Sequence, residues 1–351
     1  MVLHPEELQF ARAYDSGRAF EDLSAEQIHS VMEKGRALFK WYKAHPRTHN
    51  LISATVLVSI LLADGWTLLG LPRLLITNGN NSLGWILFAS LIVATVHGWL
   101  LYSLGVYSLH EGAAHDAIVS GSGALASAAR FFAGNVCRVS QAVPEYYATC
   151  HMGHHSKFGT EDDPEFLNFV LPHRLWRSLL PFATIFNFTD FIVHRPPALT
   201  RSRVVSGIVT GTYHGVYGLV MFHFFGPILP VVTFLLMPNI ALYFDRFRQF
   251  TEHNLMPLDN RIGARNLGVG FWGLLIGGGP WGQPCHLVHH VVASVPWYQQ
   301  IILHRYMKGL LTPRQKEQFL VTPFVGFPRL FWGIVREANG FARQQVARRE
   351  V

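Results

Sequence analysis

Nine of the 19 histidines in this chain fall into a pattern whose spacing points to metal chemistry. The first group is His110-Glu-Gly-Ala-Ala-His115. The second is His151-Met-Gly-His154-His155, and the third is His286-Leu-Val-His289-His290. A single His253 stands between the last two, in Gln249-Phe-Thr-Glu-His253. Residues i, i+3 and i+4 share one face of a helix, so each HxxHH aims three imidazoles at one volume. Neighbouring side chains diverge by about 100° around a helix. One member of an adjacent pair can therefore serve one ion while its neighbour serves a second. The i, i+5 spacing of the first group fits a regular α-helix less well and predicts a local distortion or a helix end.

Imidazole suits zinc, copper, iron and nickel. Nine imidazoles are too many for one first-row ion and suit two ions that keep open positions. Iron activates O₂; zinc, which has no redox chemistry, does not. The predicted ligands are His110, His115, His151, His154, His155, His253, His286, His289 and His290. Metal-bound histidines hand their second nitrogen to a carboxylate or carbonyl. Glu111, Asp116, Glu161, Asp162, Asp163 and Glu252 lie within a few residues of a ligand. Glu111, Glu252, Asp162 and Asp163 are carried forward as catalytic or orienting candidates; otherwise they are solvated loop acids or caps. Cys150 and Cys285 each precede a box directly, as a further ligand or, more simply, a small buried side chain.

The elements that hold these groups are apolar. Of 351 residues, 50% are hydrophobic and only 15% charged, against about 25% charged in a typical soluble protein. A membrane-spanning helix needs roughly 20 mainly apolar residues. Such runs cover about 51–71, 83–109, 204–225 and 227–244 and predict two helical hairpins; a closed barrel is excluded by the lack of period-2 alternation. Between the paired runs the one cation is Arg73; the other 28 of the 29 Lys and Arg lie outside the hairpins. The positive-inside rule then places both termini, the long loop 110–203 and all nine histidines on the cytosolic side. In a bacterium the membrane would be the cytoplasmic one.

The expected organisation is a cytosolic N-terminal helical segment (1–50), a four-helix membrane and di-iron catalytic domain (51–312) and a cytosolic or interfacial C-terminal segment (313–351). The fold class is all-α integral membrane, with a cytosolic helical cap carrying the metals. The first 50 residues are mixed and charged, unlike a cleavable signal peptide. Weaker apolar stretches at 175–193, 269–279 and 320–335 read as interfacial or re-entrant helices, with a fifth span near 269–279 as the alternative. His97, His214, His223 and Asp64 fall inside predicted spans, as pathway residues or helix-to-helix hydrogen bonds.

Other chemistries find little support. The net charge of +7 is spread around the apolar runs and forms no nucleic-acid module. Three cysteines without a CxxC pair exclude an internal Cys₄ iron–sulfur centre. Gly268-Val-Gly270-Phe-Trp-Gly273 matches GxGxxG but has no βαβ context. Electrons must therefore come from a separate reductase or carrier of the ferredoxin, rubredoxin or cytochrome b5 type. The basic cytosolic face offers an acidic partner a docking surface.

With its HxxxxH, HxxHH and HxxHH boxes in order, the chain resembles the membrane fatty-acid desaturase and hydroxylase superfamily. The flanks are similar too, in His154-His155-Ser-Lys-Phe-Gly-Thr-Glu-Asp-Asp-Pro164 and in His289-His290-Val-Val-Ala-Ser-Val-Pro-Trp-Tyr298. The resemblance covers roughly residues 50–300. It implies a di-iron centre above four helices, with a hydrophobic substrate tunnel descending between them. It places an extra ligand at His253. Acyl-CoA desaturases carry a water-linked Asn four residues before that histidine; here Gln249 stands there, so that role is not carried over.

The implied reaction is O₂-dependent oxidation of an unactivated C–H in a fatty acid or acyl lipid. Desaturation fits the boxes best. Oxidative decarboxylation of a free medium-chain acid to a terminal alkene, as in a bacterial branch of the superfamily, is the main alternative. Hydroxylation is another. A metal-binding membrane transporter is the reading from a different class; it would want ligands along a path inside the spans.

Overall fold

The computed structural model describes residues 20–76, 82–115, 144–160, 162–163, 201–259, 261–320 and 326–349, with Arg12. Among these, every regular element is helical. In chain order they are α1 (Ala25–Ala44), α2 (Pro46–Ile76), α3 (Leu83–Gly105), a π-helical segment (Val106–Ala114), α4 (Pro144–Lys157), α5 (Arg201–Phe225), α6 (Ile228–His253), α7 (Phe271–Ile276), α8 (His286–Val291), α9 (Trp297–Leu310), α10 (Pro313–Phe319) and α11 (Gly326–Arg349). An isolated parallel bridge joins Asn266 and Leu320.

The chain divides into two compact units. A helical-hairpin unit comprises Pro46–Tyr147 and Pro181–Asp245; a histidine unit comprises Met1–His45, Ala148–Leu180 and Arg246–Val351. The long helix α6 passes from the first to the second.

Within the hairpin unit, α2, α3 and α6 are long and apolar enough to cross a membrane. Their outward residues are large and apolar, among them Leu51, Val58, Leu62, Trp66, Leu87, Phe88 and Leu91. A solvent-facing helix would be polar there, so these surfaces suit acyl chains. The helix α5 stands where the third run is predicted; Arg201, Arg203 and several Thr, Gly and His residues interrupt its apolar sequence. Leu68, Ala89, Val93, Met221 and Leu229 form a shared core. Gly98 permits close approach of α3 and α6, since a Cβ there would lie 2.9 Å from the Met237 carbonyl oxygen.

Within the histidine unit, α1 and α10 begin with capping boxes. Ser24 and Thr312 cap the helices, and Gln27 and Gln315 return to the cap nitrogens. The two glutamines also bond each other, Gln27 Nε2 donating to Gln315 Oε1 at 2.9 Å. The core gathers Leu23 and Val31 with Cys285, Leu287, Val288, Leu303, Met307 and Phe319. The sequence 269–279 forms only the six-residue α7 between tight turns, too short to span a membrane. The GxGxxG run follows no strand, which removes the context a dinucleotide site needs. The stretch 175–193 lies outside the described residues.

Candidate metal centre

Three elements of the histidine unit bring seven imidazoles together. The end of α4 carries His151, His154 and His155, α6 ends on His253, and α8 carries His286, His289 and His290. In α8 all three imidazoles occupy one face at i, i+3 and i+4, while Leu287 and Val288 turn into the core. All but His155, which is half-buried, are buried.

The imidazoles form two clusters. In one, His155 Nε2 lies 3.1 Å from His151 Nε2 and 2.9 Å from His289 Nε2. In the other, His286 Nε2 lies 2.9 Å from His253 Nε2 and 3.2 Å from His290 Nε2. His154 joins this second cluster, its ligand atom within 4.8 Å of those of His253 and His290. The adjacent pairs His154–His155 and His289–His290 thus divide between the clusters.

Hydrogen bonds on the far side of the rings fix the tautomer of two of the seven imidazoles, His154 and His253. His154 Nδ1 lies 2.9 Å from Asp163 Oδ1, and His253 Nδ1 lies 3.0 Å from the Gly263 carbonyl oxygen. Both acceptors require a proton on Nδ1, which leaves a lone pair on each Nε2. Lone pairs facing one another repel unless a cation lies among them. With metal–nitrogen distances of about 2.0–2.1 Å, ligands at right angles stand about 3 Å apart. The observed 2.9–3.2 Å separations match that spacing. By spacing both clusters fit a transition-metal ion, and in the second the fixed Nε2 lone pairs of His154 and His253 add to that fit; imidazole donors include iron among their partners.

A second set of contacts fixes the ends of these elements. Arg265, buried, donates to the carbonyls of Thr251 at 3.0 Å and Asn254 at 2.6 Å, and to that of Leu255 at 3.3 Å. It thereby caps the C-terminal end of α6 beside His253. Arg248 Nη1 donates to Glu252 Oε2 at 2.6 Å and to Gln283 Oε1 at 2.5 Å. Glu252 Oε2 is 3.8 Å from His286 Nε2, so a buried carboxylate borders the second cluster. The turn before α8 delivers Gln283. It needs glycine at 282, where a Cβ would collide with the Gly277 carbonyl.

The remaining candidates divide as follows. His110 and His115 belong to the hairpin unit, at the two ends of a π-helical turn closed by His115 N–H donating to His110 O at 3.2 Å. Their ring centroids are 4.8 Å apart, and Glu111 Oε1 lies 3.2 Å from His110 Nδ1. Asp162 is exposed and lies 4.0 Å from Lys157. Gln249 accepts from Arg246 at 3.1 Å. Cys285 is buried, and burial pushes its thiol well above the usual range, so it stays protonated. Asp116, Glu161 and the Cys150 side chain lie outside the described residues. Sequence reasoning missed Arg248, Arg265, Gln283 and Gly263. The i, i+4 spacing of Arg248 and Glu252 is a signal that was there to find; a single carbonyl such as that of Gly263 leaves none.

Comparison with curated proteins and with solved structures gives no match. The family model for fatty acid desaturase matches residues 83–321, over half of the chain and a span that contains all nine histidines. The chain belongs to the fatty acid desaturase family.

Proposed function

We propose that the protein is an O₂-dependent di-iron oxidase of an unactivated C–H in an aliphatic chain, with desaturation as its reaction. Family membership makes it an oxidoreductase of fatty-acid chemistry, and its three apolar helices make it an integral membrane protein. The finer reading is carried by one observation, the two clusters of buried Nε2 atoms at 2.9–3.2 Å. His151, His155 and His289 would hold one iron; His154, His253, His286 and His290 would hold the other. His110 and His115 are added as ligands on the sequence pattern and the family match. When bound, the irons supply O₂ activation and hydrogen abstraction.

The chain's own residues prepare the ligands. Asp163, Gly263 and, for His110, Glu111 keep the Nδ1 side occupied and aim the Nε2 lone pairs. Glu252, held by Arg248, places a carboxylate beside the second cluster. Reducing O₂ to water takes more electrons than a hydrogen pair leaving the substrate provides. A separate carrier of the ferredoxin, rubredoxin or cytochrome b5 type supplies the rest. With α5 as the third of four spans, the positive-inside distribution puts both termini and the metals in the cytosol.

The test is product analysis. Iron-loaded protein in membranes receives O₂, a reductase system and free fatty acids of several lengths. A product lighter by one hydrogen pair supports desaturation. A volatile alkene one carbon shorter replaces it with decarboxylation, and a product heavier by one oxygen replaces it with hydroxylation. Purified protein that holds zinc alone, and stays inactive after iron reconstitution, overturns the oxidase reading altogether.

A further inference from the structure

The last helix of the histidine unit, α11, has two unlike faces. Phe327, Phe331, Ile334, Val335 and Ala338 are buried and form the inner one. Phe331 packs on Phe247 and Phe250 of α6, with ring centroids 5.2 and 5.5 Å away, and Phe327 stacks on Trp272 of α7. The outer face is basic. Arg329, Arg336 and Arg343 are exposed and recur at i, i+7 and i+14. At about 100° per residue they drift by only about 20° at each step and make one stripe along the helix. Trp332, 55% exposed, belongs to the same stripe, within about 60° of all three arginines. The helix carries five arginines and one acid, Glu337, which lies about 100° round the axis from Arg336.

The contacts with α6 set the depth of this face. The apolar run of α6 ends at Phe244, and Asp245 and Arg246 follow it. Phe247 and Phe250 stand three and six residues beyond that end. At about 1.5 Å per residue they lie on the order of 5–9 Å past the hydrocarbon edge, and less far if α6 is tilted. Headgroups occupy about 5–8 Å on each side of a roughly 30 Å hydrocarbon core. The helix that packs on these two rings is therefore at headgroup depth. An exposed indole among three guanidinium groups suits that layer, where tryptophan is enriched. An acidic soluble protein would have to reach the same face through the headgroups.

We propose that the outer face of α11 binds the headgroups of anionic phospholipids, with Arg329, Arg336 and Arg343 on the phosphates and Trp332 inserted between the lipids. Arginine's planar fork donates two parallel N–H bonds to a phosphate, and it keeps its charge at any physiological pH. Seven residues separate successive arginines by about 10 Å along the helix, so each can take a separate phosphate. Anionic headgroups attract cations at the membrane surface, which adds to each contact. The face would tie the histidine unit to the membrane surface without adding a span. The inference needs the chain to be integral to a membrane and does not depend on which reaction it catalyses.

The test uses the full chain in nanodiscs of equal phosphatidylglycerol and phosphatidylcholine, with the photoprobe p-benzoyl-phenylalanine in place of Trp332. After illumination, lipid adducts on residues 326–349 are identified by mass spectrometry. Phosphatidylglycerol adducts should exceed phosphatidylcholine adducts by about fivefold or more, the factor expected from even one cation at an anionic surface. Arg329→Gln, Arg336→Gln and Arg343→Gln together should bring the ratio to about one. The three Arg→Lys changes, which keep the charge, should retain most of the preference. Equal adducts of the two lipids before any arginine is changed would overturn the proposal, and so would an absence of lipid adducts. A preference that survives the Gln substitutions would overturn it equally. A plant-type ferredoxin that, added in excess, takes the cross-link in place of lipid would give the face to an acidic protein and overturn it too. No turnover enters the measurement, so failure of the oxidase reading would show in product analysis and leave these adducts as they are.

Discussion

Asp163 receives a hydrogen bond from Nδ1 of His154, with its two carboxylate oxygens at 2.9 and 3.1 Å and both residues buried. Gly159 N–H donates to the same carboxylate at 3.3 Å. The carboxylate is thus fixed by the turn that follows α4, and it fixes the ring in turn. Asp163→Asn presents an amide that can donate to Nδ1 and so favours the wrong tautomer. Loss of such a partner weakens metal binding by about 10–100-fold. Iron retention against a competing chelator should fall by that factor, with helical content unchanged. Retention equal to wild type would remove Asp163 from the site.

His154 and His289 lie in different imidazole clusters. Replacing either with Ala removes one nitrogen from its cluster and should lower activity by about 100-fold or more. Iron analysis is the more direct measurement, because loss should begin with the cluster that was cut. Circular dichroism and membrane insertion should stay as in wild type. Wild-type turnover in either variant would refute the ligand assignment.

Arg265 satisfies three carbonyls at the end of α6 from a buried position. Hydrogen bonds from a charged donor are worth about 1.5–3 kcal/mol each, and buried acceptors left bare cost more than the bond returned. Arg265→Met should destabilise the histidine unit by about 3 kcal/mol, or roughly 6–12 °C in melting temperature. His253 sits at that helix end, so iron affinity should fall with stability. A melting curve that overlays wild type would show the cap to be dispensable.

His304 on α9 is buried, and its Nδ1 has no partner among the described residues. Burial, then the charges of Lys308 and Arg305, lower its pKa from the ordinary 6.5 to about 4. The unfolded chain therefore binds this proton at a higher pH than the folded one. The neutral ring's contribution is fully present above pH 6.5 and is lost as pH falls towards 4. The loss is at most about 3 kcal/mol. His304→Asn should melt with a shallower pH dependence than wild type between those limits. Parallel curves would place the acid sensitivity elsewhere.

How much of this was legible in the sequence depends on the kind of contact. The HxxHH spacing translates directly into one-sided imidazoles, and α4 and α8 are the helices it predicts. The apolar runs locate α2, α3 and α6, but the helices extend beyond the runs. The run at 51–71 lies within Pro46–Ile76, because polar residues at the ends continue the hydrogen-bond ladder after hydropathy has faded. The carboxylate partner of His154 was among three candidate acids close to it in sequence, Glu161, Asp162 and Asp163, and only the fold separates buried Asp163 from exposed Asp162. Gln283 reaches Arg248 across 35 positions, through a turn that depends on glycines. Such a pairing belongs to tertiary structure and has no local pattern.

The π-helical turn between His110 and His115 has a consequence for how the chain tolerates insertion and deletion. One residue more than an α turn is housed there, and the two imidazoles still meet edge to face with centroids 4.8 Å apart. Deleting one of Gly112, Ala113 or Ala114 would convert the pair to i, i+4 spacing, which also shares a face on an α-helix. The pair would keep its mutual aim. Everything downstream would instead turn by about 100° around the helix axis relative to α3. The extra residue thus acts as a phase setting for the chain that leaves the membrane helix, and a one-residue change there would re-aim a whole segment while leaving the two rings side by side.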